Sequence, residues 1–293
     1  MALPKFEYVA PKTLDEACSL LALHKGRARV ISGGTDIMPQ MKERAVVPQY
    51  LIGLKSVSKL DYVKHDKKSG LKIGCLATLA EVAESTAVAR HFPLLKEAIS
   101  LMASVQVRNC GTVAGNLCNA APSADTAPSL IVMGAKVKLV SAGKKERIIP
   151  VEEFFQGPGE TALEVGELLA EIQVPNLPPK TGTAYLKLSQ RRAMDLAFVG
   201  AGCLVTLDGN KCKDIKIALG AVAPTPIRVK AAEELFKGKA LKDDFLEKAA
   251  AAAMKACKPI TDIRASAEYR KKMVGVLTKR AITQAWEKAS KAK

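Results

Sequence analysis

One tryptophan, three histidines and an aromatic content of 4% over 293 residues leave this chain little material for stacking surfaces or imidazole chemistry. His24, His65 and His91 are scattered, and none stands beside a serine, cysteine or carboxylate pattern that would suggest a triad or a metal site. The seven cysteines (Cys18, Cys75, Cys110, Cys118, Cys203, Cys212 and Cys257) are odd in number and contain no CxxC pair. That argues against a disulfide framework, a zinc site and a locally held iron–sulfur cluster. No apolar run is long enough to cross a bilayer, and Met1–Phe6 lack a signal-peptide core. A cytoplasmic chain with no membrane span and no metal of its own is expected. No acid–base pair for substrate chemistry stands out, so no catalytic residue is assigned.

Positive charge is plentiful, at a formal +16, and it is uneven. Residues 178–293 hold 24 Lys and Arg against 11 Asp and Glu, whereas residues 1–177 are close to balanced. A basic half can signal nucleic acid, but the aromatics there (Tyr185, Phe198, Phe236, Phe245, Tyr269, Trp286) are spread out and build no stacking platform. The charge is better matched to solvated helices, to an acidic partner or to an anionic electron acceptor.

Two segments rich in glycine and hydroxyls carry the chemistry. Arg29–Pro39 runs from an apolar strand-like stretch into Ser32-Gly33-Gly34-Thr35-Asp36. Arg108–Ala127 contains Asn109-Cys110-Gly111-Thr112-Val113-Ala114-Gly115-Asn116 with almost no bulk. Backbone amides in such turns can approach an anion closely. Gly33 and Gly34 are expected to clear the way for a diphosphate and Thr35 to add a hydroxyl. Asp36, a charge that should avoid phosphate, is expected to brace the loop or bind a hydroxyl. Neither segment is a GxGxxG fingerprint or a P-loop. Taken singly, each is also readable as a surface loop or a small-residue packing face. Together they suggest two loops gripping one extended ligand. Cys110 and Cys118 read as small packing residues.

These two loops, with the opening Phe6–Ala17, resemble the medium, FAD-binding subunit of the molybdenum hydroxylases, the xanthine dehydrogenase and aerobic-type carbon monoxide dehydrogenase group. The similarity covers nearly the whole chain. One departure is Ala114, which stands where the family usually has the first glycine of a pair; alanine is comfortable there only at negative φ. The resemblance implies an α+β chain: the two-subdomain FAD-binding fold of the vanillyl-alcohol oxidase type, then a C-terminal α+β domain with an antiparallel sheet and helices. It also implies FAD bound without a covalent link. Val30, Ile31, Ser32, Gly33, Gly34, Thr35, Asp36 and Ile37 would wrap the diphosphate. Met102 and Val107 would sit near the cofactor, with Gly111, Thr112, Gly115 and Asn116 in the second loop. Ser123 and Asp125 would follow, Asp125 binding a hydroxyl or amine. Leu169 would pack against the cofactor, Lys187 would approach the flavin ring, and Leu196 would lie over it. From the residues alone, Lys187 is equally a solvated strand charge. Met102, Val107, Leu169 and Leu196 are equally ordinary core residues.

The partners implied by the resemblance are a small subunit with two [2Fe-2S] clusters and a large molybdopterin subunit. Electrons would pass from the clusters to FAD in this chain and on to NAD or another acceptor. Some relatives carry a cysteine-rich insertion in this subunit; this chain has none. Two rival functions are a stand-alone flavin reductase of the same broad fold, such as the cell-wall precursor reductase, and a flavin-free anion-binding protein. Gly220–Arg228 resembles the family's connection into its C-terminal helices and speaks against the reductase.

Local signals divide the chain into residues 1–55, 56–177 and 178–293; the resemblance implies that the first two are FAD-binding subdomains and the third a C-terminal flavoprotein domain. Thr13 with Glu16 predicts a capped helix through His24. Strands are predicted at Ala28–Ile31, Val46–Leu54, Leu71–Leu76, Lys136–Val140 and Glu167–Val174, with a short helix capped by Thr78 and a helix over Pro93–Ser104. Pro175–Pro179 reads as a linker. Beyond it, strands are predicted at Tyr185–Leu188, Ala197–Leu207 and Cys212–Ala221, the last two joined by Asp208-Gly209-Asn210, followed by helices near 230–237, 243–257 and 266–289.

Overall fold

The computed structural model describes residues 2–191 and 193–292. Its first sheet is parallel and three-stranded, in the order β1-β3-β2. It is built from β1 (Glu7–Val9), α1 (Leu14–Leu23), β2 (Ala28–Ile31), α2 (Ile37–Lys42) and β3 (Tyr50–Gly53). The Thr13 hydroxyl accepts the Glu16 N–H at 3.1 Å and starts α1 as the sequence indicates. The strand predicted at Val46–Leu54 is shorter. Pro48 has no N–H to offer a ladder, and a 3₁₀ turn begins at Leu54.

The next elements are β4 (Val63–Asp66), β5 (Gly70–Gly74), α3 (Leu79–Glu84), α4 (Thr86–His91), α5 (Pro93–Ser100), α6 (Val105–Arg108), α7 (Val113–Asn119) and α8 (Thr126–Val132). After them come β6 (Lys136–Ser141), β7 (Lys145–Pro150), α9 (Val151–Phe154), β8 (Phe155–Gly157), β9 (Glu160–Thr161) and β10 (Leu168–Val174). Strands β4-β5-β10-β6-β7 form an antiparallel sheet. Thr78 and Glu81 close a full capping box on α3. The helix expected over Pro93–Ser104 ends at Ser100, and a separate helix, α6, begins at Val105. Ala103 takes φ 44°, and the Ser104 hydroxyl accepts the Val107 N–H and caps α6. The break matters because it turns the chain toward the second glycine segment.

A second antiparallel sheet, β11-β12-β13-β14, follows: β11 (Thr181–Leu188), β12 (Val199–Asp208), β13 (Lys211–Gly220) and β14 (Ile227–Arg228). Gly209, at φ 58°, makes the turn between β12 and β13. Three helices complete the chain: α10 (Lys230–Glu233), α11 (Asp243–Ala256) and α12 (Ala267–Lys291). Helices α11 and α12 share a core with this sheet that includes Phe236, Val274, Ile282 and Trp286. Every residue of α8 is buried, and α8 packs against β12 and β13. Room for it comes from Gly202 and Gly220: a Cβ at either would meet Pro128, at 3.2 and 3.0 Å. This contact joins the half of the chain that carries the two glycine segments to the C-terminal sheet. Among the described residues no helix is long and apolar enough to cross a membrane.

The α11–α12 connection, residues 257–266, has no regular structure but is densely bonded. Asp262 accepts the Arg264 and Ala265 N–H groups at 2.9 and 3.3 Å and pairs with Arg270 at 2.7 Å. Arg270, almost fully buried, donates in turn to the Phe198 and Ala221 carbonyls. Burial works against the Asp262 carboxylate, but these donors outweigh it and hold its pKa at about 2. A depressed carboxyl stabilises the fold above its unfolded value, about 4, and that stabilisation is lost as pH falls toward 2. Asp262→Asn should therefore be clearly less stable than wild type at pH 7, and the gap should close as pH approaches 2. Guanidinium unfolding of both proteins across that range checks it; a gap independent of pH would refute the assignment.

Candidate functional site

At the end of β2 the chain turns through Ser32–Asp36, with Gly34 at φ 76°, and enters α2. The two glycine segments meet directly. A Cβ on Gly33 would lie 2.0 Å from the Cys110 carbonyl oxygen, and one on Gly111 would lie 3.1 Å from Thr35 Oγ1. Ser32 Oγ and Thr112 Oγ1 are 3.3 Å apart. Gly33 is thus required by the contact between the loops. The expectation that its missing side chain clears space for a diphosphate is corrected: the Cβ direction faces the second loop.

The second segment is less of a loop than its composition suggests. The Val107 carbonyl accepts the Cys110 and Gly111 N–H groups, at 3.2 and 2.7 Å, in a tight turn, and the Gly111 carbonyl is held by the Leu79 N–H at 2.8 Å. Thr112 then caps α7, its hydroxyl accepting the Gly115 N–H at 2.9 Å. Ala114 is therefore helical, at negative φ and buried, which is why alanine fits there. Gly115 has a packing reason, since a Cβ would come within 2.9 Å of Thr112 Oγ1.

The N–H groups of Gly33, Gly34, Thr35 and Asp36 donate to no acceptor among the described residues. Those of Val113 and Ala114, in the first turn of α7, have no acceptor there either. Unpaired amides on two touching segments supply the positive potential that suits an anion. Asp36 is turned to structural use: Asn119 Nδ2 donates to Asp36 Oδ1 at 3.0 Å, while Gln40 Nε2 donates to Asn119 Oδ1 at 3.1 Å. Asn116 Oδ1 accepts the Thr126 hydroxyl at 2.6 Å, which leaves the Asn116 amide N–H groups available.

A second cluster lies where α8 meets β11. Asp125 is buried at the start of α8. It accepts the Tyr185 hydroxyl and the Lys187 ammonium, both at 2.8 Å. Lys187 Nζ also donates to the carbonyls of Leu101 and Asp195, each at 3.0 Å, so its three protons are all engaged. Burial pushes the Asp125 carboxyl up, against the opposing pull of Lys187 and Tyr185. Lys187 is therefore neither a solvated strand charge nor a free cation.

The remaining expected residues fall in three groups. Met102 and Leu169 are buried; Leu169 lies beside the β10 irregularity between Leu169 and Glu171. Val30, Ile31, Ile37, Val107 and Ser123 are half-buried. Leu196 is exposed, in the same loop as Met194, whose N–H donates to the Ala103 carbonyl. Cys110 is exposed, so it is not the packing residue expected; the half-buried Cys118 has its thiol pushed up to about 12 by burial. Sequence reasoning missed Gln40, Asn119 and Tyr185 as members of the site. Asn119 had a signal, standing three positions after Asn116 on one helix. Tyr185 had none until β11 was placed beside α8.

The comparisons with known proteins agree along the whole chain. Residues 4–177 match the FAD binding domain in molybdopterin dehydrogenase, and residues 184–285 match the CO dehydrogenase flavoprotein C-terminal domain. The carbon monoxide dehydrogenase medium chain of Hydrogenophaga pseudoflava is 34% identical over 98% of this chain and 99% of its own length. The xanthine dehydrogenase FAD-binding subunit of Escherichia coli O157:H7 is 31% identical over 95% of each. Among solved structures, carbon monoxide dehydrogenase from Hydrogenophaga pseudoflava, in a form lacking the Mo-pyranopterin moiety of the molybdenum cofactor, superposes with a TM-score of 0.95 at 35% identity, covering 98% of this chain and 99% of the other. Quinoline 2-oxidoreductase from Pseudomonas putida 86 gives 0.92 at 29%, covering 99% and 100%.

Proposed function

The chain belongs to the FAD-binding medium subunits of the molybdenum hydroxylases, and from that membership we propose that it is the electron-transfer subunit of such a complex. It takes electrons from [2Fe-2S] clusters in a small partner and delivers them to NAD or another acceptor. Substrate oxidation takes place in a large molybdopterin partner, and the assembly works in the cytoplasm. Bound FAD supplies the exchange between carriers of single electrons and acceptors of electron pairs.

The observation that carries this reading is the pair of touching glycine segments, each with N–H groups that have no acceptor among the described residues. The amides of Gly33–Asp36 and of the first turn of α7 would hold the diphosphate. The Asn116 amide is free to donate to the cofactor, and Asp36 braces the first loop through Asn119. The Asp125–Lys187 pair would lie toward the ring as a buried dipole of zero net charge. Met102, Leu169 and Leu196 would supply apolar contact.

Purification of the chain with its partners should give the paired near-ultraviolet and blue bands of oxidised flavin, released by acid, together with molybdenum and iron. A colourless preparation that FAD cannot reconstitute would favour the anion-binding alternative. NADPH-driven turnover by the chain alone would favour the stand-alone reductase. A finer check lies in the brace. Asn119→Ala removes the hydrogen bonds to Asp36 and Gln40 and should weaken FAD about tenfold, the worth of roughly 1.4 kcal/mol. Titration calorimetry measures it, and an unchanged affinity would remove Asn119 from the site.

A further inference from the structure

Lys187 apart, the excess positive charge of the C-terminal half has no role in the cofactor site, and one part of it lies beside exposed apolar residues. In the α11–α12 connection Ile263 is 99% exposed and Ile260 67%, and Tyr269 in the first turn of α12 is 46% exposed. Solvent-facing isoleucines on a floppy loop would mean little, but this loop is held firmly. The Asp262 carboxylate accepts the Arg264 and Ala265 N–H groups and pairs with Arg270, Thr261 Oγ1 accepts the Ala267 N–H at 2.9 Å, and Lys258 N–H donates to the Val222 carbonyl at 2.8 Å. The Arg264 carbonyl accepts Gln190 Nε2 at 3.3 Å, which fixes the loop to the segment leading to Leu196. Two isoleucines are thus preorganised in water, where each leaves apolar area unburied.

Lys255, Lys258 and Lys271 flank them. All three are exposed, and none has an ion-pair partner among the described residues. Lys271 lies near Cys257 and exerts a downward pull on its thiol. Carboxylates are scarce here: Asp262 is committed within the loop and Glu268 to Lys272. An apolar centre with an aromatic and an uncompensated cationic rim is the anatomy of a protein interface with an acidic counterpart.

We propose that this loop is a docking surface for an acidic, apolar-tipped face of a sister subunit in the hydroxylase complex. The proposal rests on the electron-transfer reading above. A second copy of this chain fits less well, because a symmetric contact would bring the same lysines together.

The test uses the full chain, tagged and purified from its native cells at low salt, with molybdenum measured per chain. Ile263→Asp, at a fully exposed position, should keep the circular dichroism and thermal unfolding of wild type but lose molybdenum at least tenfold. Lys258→Glu with Lys271→Glu should release the partner at lower salt than wild type does. Full molybdenum in Ile263→Asp overturns the proposal. If molybdenum is kept while a dimer of this chain is lost, the face belongs to a second copy. If molybdenum is kept while sedimentation with phosphatidylglycerol vesicles is lost, it belongs to a membrane. Each of these outcomes also overturns the proposal. A wild-type chain that brings no molybdenum at all overturns the electron-transfer reading and this surface with it.

Discussion

Gly33→Ala should strip the protein of FAD while leaving its secondary structure intact. The added methyl carbon would stand 2.0 Å from the Cys110 carbonyl oxygen, 2.6 Å from its carbon and 2.9 Å from the Gly111 Cα. All three are backbone atoms, so no side chain can swing aside. One of the two segments must retreat by about an ångström or more, as overpacked sites do at a cost of roughly 1–3 kcal/mol. The larger loss is functional. The amides at Gly33–Asp36 and those of α7 then no longer point at one anion. Hydrogen bonds to a charged group contribute about 1.5–3 kcal/mol each, so losing two weakens binding at least a hundredfold. Flavin absorbance per protein after gel filtration reads the result directly, with circular dichroism as the control. Wild-type flavin content in this variant would end the assignment of Ser32–Asp36 and Cys110–Asn116 as one site. Gly34→Ala should be milder: its methyl would meet only the Ile31 and Met38 side chains, at 3.3 Å, and the left-handed backbone costs about 1–2 kcal/mol.

Lys187→Met should be the most destabilising single change in the C-terminal sheet. It leaves the buried Asp125 carboxylate with Tyr185 alone and frees the Leu101 and Asp195 carbonyls. Breaking a buried pair by removing one partner costs about 3–5 kcal/mol, because an uncompensated charge stays behind. The double variant Lys187→Met with Asp125→Asn should recover most of that loss. The pH dependence has a definite sign. Burial already raises the Asp125 carboxyl, and loss of Lys187 removes its strongest opposing influence. A raised carboxyl favours the folded state below the unfolded pKa, about 4, and that advantage is lost as pH rises through the folded value. The deficit of Lys187→Met should therefore deepen from pH 5 to pH 8. Chemical denaturation at several pH values measures it. A deficit under 1 kcal/mol, or a double variant no better than the single, would mean that the pair is not the buried unit described. A variant that retains FAD should also show a lower flavin potential, since a nearby cation is gone while the carboxylate remains.

Much of the architecture was legible locally. Thr13 and Thr78 cap the helices they precede, and Gly209 turns β12 into β13, because hydroxyl caps and positive-φ turns involve partners only a few residues away. The condition placed on Ala114 was met for the same reason: the Thr112 cap makes the residue helical. Misreadings arose where a local feature competed with periodicity. The helical pattern over Pro93–Ser104 runs past the helix, which ends at Ser100 before the left-handed Ala103 and the Ser104 cap of the next helix, and Pro48 shortened the strand expected at Val46–Leu54.

The two glycine-rich segments are visible as composition, and the family resemblance rests on them. What each residue touches was not visible. Ser32 and Thr112 stand 80 positions apart, and Lys187 and Asp125 stand 62 apart. No local rule reaches across such distances. The sequence by itself determined the caps, the turns and the presence of two small, polar, amide-rich segments, because those follow from interactions within one or two turns of chain. Only the tertiary structure decided that Gly33 is spent on contact with Cys110 and that Lys187 is neutralised by Asp125. Parallel pairing of β2 with β3 and the burial of α8 against β12 and β13 bring these groups together, and packing of whole elements settles which distant partners meet.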